Sequence, residues 1–168
     1  MLGRGFYLAL GREHARRLFG IKEEAPLAAF LEELKNSPDM KKSGRLLDVG
    51  GVWEPLHRIM TDGELDPGGG DFPGNHVVLG GKQLHHAADF SAILIRPDIV
   101  GFVSEALNDL KQNEVREKFQ NLPASYEQAR GDKEFAEIWL AIGKLRTFFD
   151  AAAENLEAVV FTVKHASS

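Results

Sequence analysis

Apolar residues along the chain form a few short runs, which predict strands, and several longer stripes at helical spacing. The first run, residues 6–10, lies between glycines and is short enough to be a buried strand. A second run at residues 92–95 leads directly into a Pro-containing helix start. The last run, residues 158–163, is apolar on both faces, which is typical of an inner strand. The pattern therefore predicts three strands, and residues 77–79 form a brief apolar run that fits either a strand or a helix.

Helical periodicity is strongest in the last third of the chain. Apolar residues recur there over about six turns and predict one long core helix; they are Phe135, Ile138, Trp139, Ile142, Leu145, Phe149, Ala152 and Leu156. Weaker stripes predict helices at residues 12–19, from Pro26 onward, after Pro97 and around residues 115–119. Ser125 and Gln128 have the spacing of a helix capping box.

Strands separated by several helices indicate helical crossovers packed on a small sheet. With 168 residues the chain can form one domain around one core. We therefore expect a single domain over residues 1–168, of the α/β (or α+β) class. Its expected architecture is a small mixed sheet of about three to four strands flanked by helices.

Residues 46–63 carry the most distinctive pattern in the chain. Asp48, a possible helix start, is followed by Gly50 and Gly51, and then by a short amphipathic stretch that carries Trp53 and His57. Since Pro55 is tolerated only in the first turn of a helix, this helix is expected to begin just after the two glycines. The following residues, 62–75, are rich in Asp, Pro and Gly and predict an exposed loop.

Four segments of the chain resemble the YfbM-like family, small bacterial proteins that are grouped as a domain of unknown function. The segments are Tyr7 to Leu10; the block Leu47-Asp48, Trp53, Leu56-His57 and Thr61; Leu79-Gly80-Gly81; and the long helix with its Val-rich terminal strand. The chain departs from the family where Gly50-Gly51 replaces a frequent acidic-basic pair and where Asp62 separates Thr61 from Gly63. The resemblance implies a three-layer α/β sandwich and brings no activity, substrate or cofactor with it.

Charge and composition narrow the classes of partner. Twenty basic and 25 acidic residues give a net charge of −5, so nothing favours binding to a phosphate backbone. The absence of cysteine excludes disulfides, thiolate nucleophiles and sulfur-ligated metals, and indicates a reducing compartment. No apolar run approaches the roughly 20 residues of a membrane span. We therefore expect an acidic bacterial protein of the cytoplasm that binds neither nucleic acid nor membrane.

Candidate chemistry is centred on His57. An imidazole beside Trp53, oriented by Asp48, would be suited to act as a general base. The alternative is that His57 lies in the core and bonds a backbone carbonyl. No GxSxG elbow or other catalytic motif is found, so the sequence leaves open whether the protein is an enzyme.

Motifs for metals and cofactors fail on spacing. His76, His85 and His86 lie near several aspartates, but no pair has the spacing of a zinc motif. The calcium-loop pattern that starts at Asp62 has Pro67 and Pro73 where Gly and Glu are required. Gly80-Gly81 does not fit a phosphate-binding loop. No metal and no cofactor is therefore predicted.

Two functions remain as hypotheses. The first is a protein-interaction or binding module in which the acidic 62–75 loop meets a basic partner, and bacterial immunity or antitoxin proteins are one such class. The alternative is a small-molecule-binding domain or small enzyme with a pocket around Trp53 and His57. The sequence leaves open whether the chain forms homo-oligomers. The candidate binding residues are Asp48, Trp53, His57, Asp62, His76, Gly80 and Gly81.

Overall fold

The computed structural model describes residues 3–165. Within this range the chain forms five strands: β1 (Gly5–Leu10), β2 (Leu46–Gly50), β3 (Lys82–His86), β4 (Phe90–Ile95) and β5 (Ala158–Lys164). The same range contains seven α-helices: α1 (Arg12–Gly20), α2 (Glu24–Lys35), α3 (Pro38–Lys42), α4 (Trp53–Met60), α5 (Pro97–Asn108), α6 (Gln112–Gln120) and α7 (Asp132–Glu154). A 3-10 turn at Gly74–His76 precedes β3. None of the described helices is both long enough and apolar enough to cross a membrane.

The five described strands form one sheet in the order β2-β1-β5-β4-β3, and every neighbouring pair is antiparallel. The expected mixed sheet of three to four strands is thereby corrected to an antiparallel sheet of five. Two parallel strands need a crossover connection that brings the chain back to the edge of the sheet at which the first strand began. Helices α1 to α3 instead lead into β2, which pairs antiparallel with β1, so they act as one long antiparallel connection.

The two strands that the apolar pattern missed, β2 and β3, are the edges of the sheet. In β3 every residue is at least partly exposed. In β2 only Val49 is buried, and Asp48 suggested the start of a helix. An edge strand has a hydrogen-bonded neighbour on one side only. In addition, most residues of β2 and β3 remain at least partly exposed to solvent. The alternation of apolar and polar residues is therefore weak in them.

Side chains of the inner strands alternate between two cores. In β1, Tyr7 and Ala9 point into the core formed with α4, α5, α6 and α7. Leu8 and Leu10 point into a second core formed with α1, α2 and α3. Helices therefore cover both faces of the sheet. The terminal strand β5 lies between β1 and β4, which confirms the prediction that it is an inner strand.

Helix α7 confirms the strongest periodic signal in the sequence. Phe135, Ile142 and Phe149 are buried along its length, and Trp139 is half-buried against the same core. Leu156 departs from the predicted stripe, because it follows the helix end with φ of 56° and is 79% exposed. A left-handed residue after the last turn redirects the chain into β5, so the stripe ends before Leu156.

The predicted capping box at Ser125 does not start a helix. Residues 121–131 form no helix, and α7 begins only at Asp132. Ser125 Oγ instead accepts a hydrogen bond from Arg58 at 3.0 Å and donates one to Glu64 at 3.1 Å. The serine therefore ties the segment before α7 to helix α4 and to the acidic loop.

Candidate functional site

The central stretch of the sequence folds as β2, a tight turn and helix α4. Gly50 has φ of 56°, a conformation that favours glycine and lets the chain turn sharply after the strand. Trp53 opens the helix, is 2% exposed, and its indole N–H donates to the Gly3 carbonyl at 2.8 Å. One turn later, His57 is fully buried. The structure therefore brings Trp53 and His57 together in the interior, with no opening to solvent at His57.

His57 bonds to main-chain groups on both sides of its ring. The Nε2 atom lies 2.7 Å from the Asp66 carbonyl, and Nδ1 lies 3.4 Å from the Leu79 amide nitrogen. A carbonyl only accepts and an amide N–H only donates, so the ring is neutral with its proton on Nε2. Burial lowers the pKa of His57, which agrees with a neutral imidazole. These contacts support the structural alternative for this residue.

The segment that His57 holds is buried but irregular. Residues 77–79 are buried and form turns instead of a strand or helix. Main-chain groups in such a segment need partners outside a regular ladder. The Tyr7 hydroxyl donates to the Val77 carbonyl at 2.6 Å, and the Gln83 side-chain amide donates to the Leu79 carbonyl at 2.7 Å. With His57, these side chains fix the segment on the sheet.

The two candidate aspartates lie on the surface. Asp48 Oδ2 accepts a hydrogen bond from Arg4 at 2.9 Å, and Oδ1 accepts one from the Gly50 amide at 2.8 Å. Asp62 Oδ1 accepts from the Glu64 amide at 3.3 Å. The carboxylate of Asp48 is thus engaged within β2 and with Arg4 instead of orienting His57.

The remaining candidates, His76, Gly80 and Gly81, lie in the turns before β3. His76 is half-buried, its Nδ1 is 2.7 Å from Asn75 Oδ1, and burial lowers its pKa. A Cβ at Gly80 would lie 2.1 Å from the Asn75 carbonyl oxygen, and one at Gly81 would lie 2.6 Å from the Leu94 carbonyl oxygen. Both glycines are therefore required for the close approach of main chains.

An open cleft lies on the opposite face of the sheet, between α2 and the ends of β4 and β5. Its volume is about 530 Å³, within the range of small-molecule sites. Apolar side chains of α2 and the ring of Phe90 line it, and charged groups surround them. The lining residues are Glu23, Glu24, Ala25, Ala28, Leu31, Glu32, Lys35, Asp89, Phe90, Thr162 and Lys164.

Glu24, His85 and Asp89 converge at one end of this cleft. His85 Nε2 lies 2.9 Å from Asp89 Oδ1 and 3.5 Å from Glu24 Oε1. The imidazole stacks on the ring of Phe90, with 4.1 Å between ring centroids and 26° between planes. Glu24 is the first residue of α2, His85 belongs to β3, and Asp89 lies in the turn between β3 and β4.

The carboxyl groups of Glu24 and Asp89 affect each other's ionisation. The neighbouring Asp89 carboxyl raises the pKa of Glu24. A hydrogen bond from His85, together with the neighbouring Glu24 carboxyl, lowers the pKa of Asp89. Two carboxyls this close disfavour simultaneous ionisation unless a positive group lies between them. The cluster is therefore suited to hold a shared proton or a cation.

In the sequence, His85 is one of several irregularly spaced histidines near aspartates, and no motif singles out His85 or Asp89. The separation of four residues between His85 and Asp89 was the available signal, but the apolar pattern does not predict β3 and therefore gives no hairpin that would bring the two side chains together. No spacing rule joins Glu24 to this pair, because α2 and the β3–β4 turn meet only through packing of the helix on the sheet.

Fold and cleft define an α/β protein in which helices cover both faces of an antiparallel sheet. Residues 1–162 match the family model described as a domain of unknown function, DUF1877. The chain belongs to this family, and the resemblance to YfbM-like proteins is confirmed.

A solved structure supports the same fold. The chain is similar to the crystal structure of a protein of unknown function, YfbM from Escherichia coli, with a TM-score of 0.65 and 18% identity. The similarity covers 97% of this chain and 99% of that one. At this identity the likeness shows the fold alone. A comparison with curated proteins gives no match.

Proposed function

We propose that this protein is a binding domain whose main site is the cleft between α2 and the ends of β4 and β5. The observation that carries the proposal is an opening of about 530 Å³ with an apolar floor and a charged rim. This location differs from the pocket expected around Trp53 and His57, because both of those side chains are buried. The proposal therefore keeps the small-molecule hypothesis and assigns it to another part of the fold.

The lining favours an amphipathic molecule. Ala28, Leu31 and Phe90 offer an apolar surface to its body, and the rim offers charged partners to its polar groups. The Lys35 ammonium already forms an ion pair with Glu32 at 2.6 Å. Of the two lysines at the rim, Lys164 is therefore the one better able to pair with an acidic group of a ligand.

The cleft favours binding over nucleophilic catalysis. Thr162 supplies the hydroxyl among the lining residues. Its Oγ1 donates to the Ser91 carbonyl at 2.9 Å, and the residue is 3% exposed. A hydroxyl held within the sheet in this way is poorly placed to attack a bound molecule.

Filling the cleft should weaken binding. Ala28→Phe places a ring on the apolar floor and is expected to weaken binding of amphipathic fragments by about tenfold or more. The measurement is a ligand-observed NMR screen of a fragment library, followed by titration of the hits against wild type and variant.

The matched control is Ala29→Phe, the same substitution at the next position of α2. Ala29 lines a different groove with Arg17 and Phe30. Fragments bound in the proposed cleft should retain their affinity for this variant. Hits that bind Ala28→Phe as well as wild type would place the ligand elsewhere and contradict the proposal.

A second candidate function is docking of a basic protein segment on the acidic 62–75 loop. The loop exposes Phe72, 48% accessible, which packs on Phe102, 50% accessible, with 5.6 Å between ring centroids. These two exposed rings, together with the exposed Asp66 and Asp71 of the same loop as Phe72, offer both apolar contact and charge complementarity to such a segment. An immunity or antitoxin role remains one prediction within this candidate.

Removal of one ring tests the docking candidate. Peptides selected by phage display against wild-type protein should be rich in Lys or Arg around an apolar residue, and Phe102→Ser should weaken their binding about tenfold. Phe19→Ser, a change at another exposed phenylalanine, is the control. Equal loss in both variants, or selection of acidic peptides, would contradict docking at this surface.

A further inference from the structure

The Glu24–His85–Asp89 cluster has the donor atoms of a metal site. One imidazole nitrogen and one oxygen from each carboxylate all lie within 4.8 Å of one another. Mixed histidine and carboxylate donors are typical ligands of zinc and related first-row cations. In the cluster, His85 Nε2 faces both carboxylates, so a single position is close to all three groups.

The distances are close to those that coordination requires. Zinc lies about 2.0–2.2 Å from histidine nitrogen and carboxylate oxygen, so donors of a tetrahedral site are about 3.3–3.5 Å apart. The separation between Glu24 Oε1 and His85 Nε2 is already 3.5 Å. The pair His85 Nε2 and Asp89 Oδ1, at 2.9 Å, must open by about half an ångström. Both carboxylates are more than half exposed and can adjust.

We propose that Glu24, His85 and Asp89 bind a divalent transition-metal cation, with Zn²⁺ as the reference ion. His85 is the anchor of the site. Its side chain is 16% exposed, and stacking on Phe90 limits rotation of the ring. Binding moves the ring proton from Nε2 to Nδ1, so that Nε2 donates its lone pair to the cation.

Donor type separates this site from an ordinary acidic surface. Hard cations such as Ca²⁺ and Mg²⁺ prefer six or more oxygen ligands, and the cluster offers only two carboxylates and a nitrogen. An imidazole donor favours Zn²⁺ over both. Selectivity for Zn²⁺ over Mg²⁺ is therefore a specific consequence of His85.

Three protein ligands leave coordination positions for water or for donor atoms of another molecule. Glu24 and Asp89 also line the proposed cleft, so those positions are next to its apolar floor. The metal site goes beyond the proposed function and is independent of it, because it is measured without any organic ligand.

The test is isothermal titration of ZnCl₂ and, separately, MgCl₂ into untagged protein that has been dialysed against a chelator. Wild type is expected to bind one Zn²⁺ with a dissociation constant in the micromolar range and to bind Mg²⁺ far more weakly. Outer-shell partners of metal sites are worth about 10–100-fold in affinity, so loss of a direct ligand in Glu24→Gln or His85→Gln should weaken Zn²⁺ binding at least about tenfold.

Glu23→Gln and His86→Gln are the matched controls. Each alters the same residue type at an adjacent position outside the cluster. Both should bind Zn²⁺ within about twofold of wild type. Glu24→Gln is the primary variant, because the side chain is 57% exposed and should not be needed for folding; its melting temperature confirms this.

Co²⁺ provides an independent readout. Its visible absorption should change on binding to wild type and should not change with Glu24→Gln. Three results would each overturn the metal site. The first is Zn²⁺ binding that persists in both the Glu24→Gln and the His85→Gln variant. The others are equal affinity for Zn²⁺ and Mg²⁺, and no binding at millimolar Zn²⁺. None of these outcomes bears on whether organic fragments bind in the cleft.

Discussion

His57→Ala is expected to lower the free energy of unfolding by about 3 kcal/mol near neutral pH. The change leaves the Leu79 amide without its acceptor in the interior and removes the donor to the Asp66 carbonyl. An unsatisfied buried polar group costs about 1–3 kcal/mol, and the cavity left by the ring adds to this. Urea denaturation at about pH 7.5 measures the difference.

The same variant has an expected pH dependence. Burial lowers the pKa of His57 in the folded protein, while an unfolded histidine titrates near about 6.5. The stabilisation from the neutral ring is therefore present above about pH 6.5 and is lost as the pH falls below it. Since the alanine variant lacks this titration, its difference from wild type should narrow between about pH 7.5 and about pH 5.5.

His14→Ala is the control for this prediction. His14 lies on α1, is partly exposed, and contacts the edge of the Phe30 ring with 6.4 Å between centroids. Its replacement should change stability by no more than about 0.5 kcal/mol. If His57→Ala were no more destabilising than His14→Ala, the structural role of His57 would be wrong and a functional role would regain support.

The inner parts of the fold could be predicted from sequence because burial leaves a clear pattern. The strands β1, β4 and β5 are apolar runs covered by helices on both faces, and α7 carries an apolar stripe over most of its length. The antiparallel pairing could not be predicted in this way. Whether two strands pair parallel or antiparallel depends on the end of the sheet at which each helical connection re-enters it. The residue types of the strands do not encode this end directly.

The candidate site shows a similar limit. Trp53 and His57 stood out because the helix that carries them has a strong apolar face, and such a face marks burial more often than chemistry. The Glu24–His85–Asp89 cluster joins a helix N-terminus to a turn between strands that is distant in sequence. Its members are individually ordinary surface residues, so only the packing of α2 on the sheet reveals them.

Gly5→Ala is expected to destabilise the protein by about 2 kcal/mol, whereas Gly143→Ala should stabilise it by about 0.5 kcal/mol. A Cβ at Gly5 would lie 2.7 Å from Phe161 Cε1 and 2.9 Å from Trp53 Cδ1. Both rings are at most 2% exposed and have little room to move. A Cβ at Gly143, exposed on α7, meets no atom within 4 Å, so alanine adds helix propensity without a clash. Urea denaturation of the two variants measures this contrast.

The cause of the Gly5→Ala effect can be isolated with a second substitution. Phe161→Leu removes the ring atoms nearest to the new methyl group, so the double variant should be more stable than the sum of the single changes predicts, by about 1 kcal/mol. Additive effects would show that the clash with Phe161 is not responsible, and would point instead to Trp53, or to the irregular pairing of β1 with β2 next to Gly5. A neutral Gly5→Ala would mean that the two rings shift freely, contrary to the close packing of the interior that surrounds them.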